Sequence, residues 1–109
     1  MLIDIHTHIF SPDVQMHRQR YCARDPWFNV LYGNPGVNIA TAEDLIAEMD
    51  DSGVEVTVTF SIGWTDPGLI EECNSYIIDV VRRYEFASRD RLILRPVENQ
   101  DELTWERIN

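Results

Sequence analysis

An α/β fold built from parallel β/α units is what this sequence predicts, and three observations predict it. The apolar opening Met1-Leu2-Ile3 leads into residues that alternate through His8, as they do in a β-strand. Val54-Glu55-Val56-Thr57-Val58-Thr59-Phe60 alternates strictly. Two further stretches carry apolar residues at helical spacing, one before and one after that second strand. Strands that alternate with amphipathic helices along a chain join as parallel neighbours through right-handed crossovers.

The first strand covers residues 2–8, and Ile9-Phe10-Ser11-Pro12 ends it. From Pro12 to Ile39 the chain reads as an irregular excursion, because Asp25-Pro26, Gly33 and Asn34-Pro35-Gly36 are turn chemistry. It still carries Tyr21, Trp27, Phe28, Leu31 and Tyr32. So many aromatics imply a packed excursion with short helical pieces, chiefly over Pro12 to Arg24, which serves as a lid or pocket wall or simply packs against the core. Thr41 then caps a helix whose first turn holds Glu43 and Asp44, where negative charge suits the helix dipole. Ala42, Leu45, Ile46 and Met49 form its apolar face, and Gly53 stops it. The strand Val54 to Phe60 follows, with the valines and Phe60 on one face and Glu55, Thr57 and Thr59 on the other. Asp66 caps a second helix with Pro67 at its first position, and Leu69, Cys73, Ile77, Val80 and Tyr84 make its stripe. Arg91 to Arg95 is a short third strand ended by Pro96. Residues 1–96 thus form one β/α segment, and 97–109 a polar tail with a weak helix around Leu103 to Ile108.

Composition narrows the function classes. A length of 109 residues with 44% hydrophobic content allows one modest domain with a core. The net charge of −10 argues against nucleic acid, since His17-Arg18-Gln19-Arg20 and Arg82-Arg83 are too short to line a phosphate groove. No apolar run approaches a membrane span, and no signal-peptide pattern precedes the first strand, so a cytoplasmic setting without membrane contact is expected. Cys22 and Cys73 match no metal or redox spacing and read as small buried apolar residues. There is no Gly-x-Ser-x-Gly elbow and no phosphate-cradling glycine loop.

The chemistry concentrates in Asp4-Ile5-His6-Thr7-His8. On a regular strand Asp4, His6 and His8 share one face, so two imidazoles at a strand end could bind one metal ion from the same side. Asp4 sits two residues deeper, about 6–7 Å below His6 by strand rise, which suits support of the ligands from behind rather than direct binding. His17, in the excursion, is the only other histidine.

Met1 to Pro12 resembles the N-terminus of the amidohydrolase-related family, in the branch called amidohydrolase 2. The likeness continues through Thr41-Ala42-Glu43-Asp44-Leu45, Met49-Asp50-Asp51-Ser52-Gly53-Val54, Asn74-Ser75-Tyr76-Ile77 and Arg82-Arg83-Tyr84. It covers residues 1–84, with Asp90 to Leu94 as a remnant. Glu85-Phe86-Ala87-Ser88 intervenes where family members place a proline before an Asp-Arg pair. The resemblance implies the N-terminal part of a (β/α)8 TIM barrel, a fold of about 250 residues with its active site at the C-terminal strand ends. It implies a metal-dependent hydrolase, hydratase or non-oxidative decarboxylase acting on a small carboxylate-bearing substrate. His6 and His8 would be metal ligands, for zinc or else manganese, and Trp64 would line the substrate pocket or pack on the helix cap. The family takes its remaining ligands, a histidine and an aspartate, from later strands, so the site on this chain is incomplete. Two other readings compete. One is a truncated, catalytically incompetent chain that at most binds a partner or self-associates through an exposed strand edge. The other is a TatD-like or other HxH barrel phosphoesterase, which the aromatic excursion and acidic charge suit less well.

Overall fold

The computed structural model describes residues 2–88 and 92–94. Three parallel strands, β1 (Ile3–His8), β2 (Val56–Phe60) and β3 (Leu92–Leu94), form one sheet in the order β1-β2-β3. Helices α1 (Pro12–Met16), α2 (Arg18–Arg24) and α3 (Pro26–Tyr32) fill the excursion, α4 (Ala42–Ser52) precedes β2, and α5 (Pro67–Ser88) precedes β3. The expected alternation of parallel strands and helices is present. Arg91, Arg95, Pro96 and the 97–109 tail lie outside the described residues, as does the expected helix at Leu103 to Ile108.

Helix α4 forms where its caps dictate. The Thr41 hydroxyl accepts the Asp44 N–H at 3.3 Å while the Asp44 carboxylate accepts the Thr41 N–H at 3.0 Å, a reciprocal capping box. Gly53 ends the helix at φ 77°, left-handed backbone that strains a residue with a Cβ. At α5, Asp66 Oδ1 accepts the N–H groups of Gly68 at 2.8 Å and Leu69 at 3.3 Å.

The excursion is more helical than turn chemistry suggests. Asp25-Pro26, read as a turn, is a cap followed by a first-turn proline, and it launches α3. Ser11-Pro12 launches α1 in the same way. Arg18 donates from Nη1 to the carbonyls of Tyr32 at 3.1 Å and Asn34 at 2.7 Å, which ties the start of α2 to the end of α3.

Among the described residues two clusters make the core. Ile9, Ala42, Met49, Ile77, Val80 and Val81 join α4 and α5, with Leu45, Ile46, Val54, Tyr76 and Tyr84 around them. The excursion packs its aromatics onto the loop between β2 and α5, in a second cluster that includes Phe10, Phe28, Trp64, Leu69 and Cys73. Phe28 stacks on Trp64 with ring centroids 4.6 Å apart and 11° between planes, and Phe10 meets both edge-on. Cys22 and Cys73 are both buried and free of disulfide, as expected. Burial pushes the Cys73 thiol up to about 12, so it stays protonated and inert.

The sheet's covered face is the threonine face. Thr57 and Thr59 are fully buried, whereas Val56, Val58 and Phe60 on the opposite face are half-buried. Among the described residues no helix is long and apolar enough to cross a membrane.

Candidate metal centre

Both strand-end histidines sit where β1 and β2 run side by side at their C-terminal ends. The Thr7 hydroxyl donates to the Val58 carbonyl at 3.1 Å, and the Thr59 hydroxyl donates to the Thr7 carbonyl at 3.4 Å. These bonds fasten the two strands beside the imidazoles. His6 and His8 stand edge to face with ring centroids 4.9 Å apart, and the Phe60 ring lies 4.8 Å from His6 and 4.7 Å from His8. The structure therefore brings the pair together on one face, on a phenylalanine platform.

One bond fixes the chemistry of His8. Its Nδ1 lies 3.1 Å from the Phe60 carbonyl oxygen. A carbonyl only accepts, so Nδ1 carries the proton and Nε2 keeps its lone pair free to ligate. Partial burial holds the His8 pKa below the ordinary 6.5; the Phe60 hydrogen bond opposes that shift and nearby His6 adds to it. The neutral, metal-binding form of His8 is favoured at neutral pH.

The strand is not regular, and this changes the reading of Asp4. Ile3 faces Val56 and Asp4 faces Thr57, but further on Thr7 faces Thr59 and His8 faces Phe60. Three steps on β1 match two on β2, so a β-bulge lies between Asp4 and Thr7. Directly paired residues on neighbouring strands share a face, which sets Asp4 with buried Thr57 and apart from the His6–His8–Phe60 face. The expected common face for Asp4, His6 and His8 is corrected on this point. Asp4 touches neither imidazole in a hydrogen bond; its Oδ1 accepts the backbone N–H of His6 at 3.1 Å.

Trp64 is 2% exposed, stacked on Phe28, and its Nε1 donates to the Ser61 hydroxyl at 2.9 Å. Of its two expected roles, packing describes its position in this chain. Phe28 is equally enclosed, whereas Trp27 is 44% exposed. His17 lies between α1 and α2, with Nε2 3.7 Å from Asp13 Oδ1. Among the described residues no group of three or more His, Cys, Asp or Glu side chains converges to hold a metal ion.

Two residues that matter here escaped sequence reading. Phe60 is the pair's platform, and its place at the end of the alternating strand, level with His8, was the signal for it. Asp25 is fully buried and accepts three backbone N–H groups: Phe28 at 3.0 Å, Thr65 at 2.8 Å and Asp66 at 2.8 Å. It clasps the excursion to the loop that leaves the C-terminal end of β2. Its signal was the Asp-Pro pair, which matches the cap at Asp66-Pro67.

The chain matches no family model, no curated protein and no solved structure.

Proposed function

We infer that this chain supplies the opening β/α units of a metal-dependent (β/α)8 barrel of the amidohydrolase-related kind, with His6 and His8 as two of its ligands. The observation that carries this reading is the ligand-ready pair itself. Two imidazoles share a face at the C-terminal end of a parallel strand, and His8 is held in the tautomer that frees Nε2. Barrel active sites gather at that end of the strands, and metal-bound histidines characteristically donate their other N–H to a carbonyl or carboxylate.

Paired imidazoles suit zinc, with manganese as the alternative, and fill two of the four positions zinc takes. The other positions need donors that the described residues do not bring together. A bound divalent ion would activate water for hydrolysis or hydration, or polarise a small carboxylate-bearing substrate for decarboxylation. His6 and His8 hold and orient; neither is assigned a proton-transfer role. The clasped excursion walls the same end of the sheet, with Trp64 in its core rather than at its surface.

The test is a zinc titration of the chain followed by NMR of the imidazole resonances. Binding that perturbs both His6 and His8, and weakens at least tenfold in His6→Ala and in His8→Ala, is the expected result. Unchanged affinity in both variants overturns the reading.

A second, non-catalytic reading has its own observation. Among the described residues β1 pairs only with β2, and Leu2 and Ile3 beside its free edge are 54% and 50% exposed. Such an edge recruits another strand, so self-association through β1 follows. A chain that stays monomeric by sedimentation at all concentrations removes that reading.

A further inference from the structure

We propose that Asp4 is a positioning residue that places both histidines on the open face of the sheet, by pinning the β1 bulge through the backbone of His6. The register shows what the bulge accomplishes. From Asp4 opposite Thr57, an unbroken strand would bring His6 opposite Thr59 and His8 opposite Ser61. Thr59 and Ser61 are buried at 0% and 2% exposure. Both imidazoles would then point into the covered side, and Thr7 would take the place beside Phe60. With one extra residue inserted before Thr7, His8 pairs with Phe60 and both imidazoles meet its ring on the open side.

A bulge leaves a backbone group out of the ladder, to be taken up by water or by a side chain. Here the partner is local: Asp4 Oδ1 closes a short ring onto the His6 N–H at 3.1 Å. Short polar side chains favour this geometry, because an oxygen one carbon beyond Cβ reaches the N–H two residues on. Asparagine keeps that oxygen. Glutamate keeps the charge but moves its oxygens one carbon out, and alanine removes them.

The deduction about geometry stands without a metal, while its consequence for affinity rests on the proposed function. The experiment therefore has two arms on the full chain, with wild type, Asp4→Asn, Asp4→Glu and Asp4→Ala compared. The first arm measures exchange protection of the His6 amide and cross-relaxation between the His6 and Phe60 rings, with no metal present. Asn is expected to preserve both, whereas Ala and Glu lose both and keep the fold, since Asp4 is exposed. The second arm titrates zinc. Ala and Glu are expected to weaken binding by about ten- to a hundredfold, the usual range for a partner that orients a ligand, with Asn close to wild type. A ring contact that survives in Ala refutes the positioning role, as does an Asn variant that fails while Glu succeeds, which would make charge the agent. If the first arm behaves as expected but zinc binding is absent in wild type, positioning stands and the metal reading falls.

Discussion

Replacing Asp25 by alanine is expected to remove about 3–5 kcal/mol of folding stability. The carboxylate is fully buried, with Oδ1 on the Phe28 N–H and Oδ2 shared by the Thr65 and Asp66 N–H groups. A hydrogen bond to a charged acceptor contributes about 1.5–3 kcal/mol, and an N-cap taken alone about 1 kcal/mol. Thr65 is exposed and Asp66 half-buried, so water recovers part of the loss at those two amides. That recovery brings the cost to the low end of, or below, the ~4.5–9 kcal/mol that three such bonds would allow. Against a typical total of about 5–15 kcal/mol, the variant is left close to marginal. Two neighbouring variants separate the clasp from the cap. Asp25→Ser restores a capping oxygen for α3, returning about 1 kcal/mol, but cannot reach two elements at once. Asp25→Asn has a single acceptor oxygen, which in the Oδ2 position keeps the Thr65 and Asp66 bonds but turns the amide hydrogens onto the Phe28 N–H, so it falls between wild type and alanine. Urea unfolding followed by tryptophan fluorescence reads this directly, because Trp64 stacks on Phe28 within the clasped cluster. An Asn variant within about 1 kcal/mol of wild type would refute the clasp, since its one oxygen keeps at most two of the three bonds and turns its NH2 onto a remaining N–H donor.

Two other outcomes follow from the same packing and caps. Phe28→Ala empties a fully buried site between Trp64 and Tyr32 and is expected to cost about 3–5 kcal/mol in the same urea assay, with a value below about 1 kcal/mol counting against a packed excursion. For Asp44, the Thr41 N–H, then Gln15 Nε2, holds the carboxyl below its ordinary 3.8. Its folded pKa is depressed, so its contribution is fully present above the unfolded value of 3.8 and is lost as pH falls through the folded one. Melting temperatures of wild type and Asp44→Ala should therefore differ at about pH 6 and draw together as pH falls below 3.8; a constant gap would contradict the capping box.

How much was legible depends on whether the determining contact is local. The helix from Ala42 to Ser52 and the start of the helix at Pro67 were readable to the residue, because Thr41, Gly53 and Asp66 act on backbone groups only a few positions away. Asp25-Pro26 carries the same local signal, yet the neighbouring glycines and prolines read as turns and hid it. The side chain's second task, two N–H groups forty residues away, leaves no local trace at all. Face assignment is the harder case. Alternation states which residues share a face but not which face is covered, and hydrophobicity would bury the valines. Thr57 and Thr59 are buried instead, and the half-buried valines lie on the side where the histidines gather. In a closed barrel that side is the interior, packed by side chains of neighbouring strands. Under the proposed barrel reading, the valine-lined face would be that interior. The bulge shows the same limit at single-residue scale. An extra residue in one strand is visible only against its partner, so the spacing His6-x-His8 was readable while the face the pair would occupy was not. The pattern of His, Thr and His was sufficient to find the pair; only pairing with Thr57, Thr59 and Phe60 could show that it points outward from the helices.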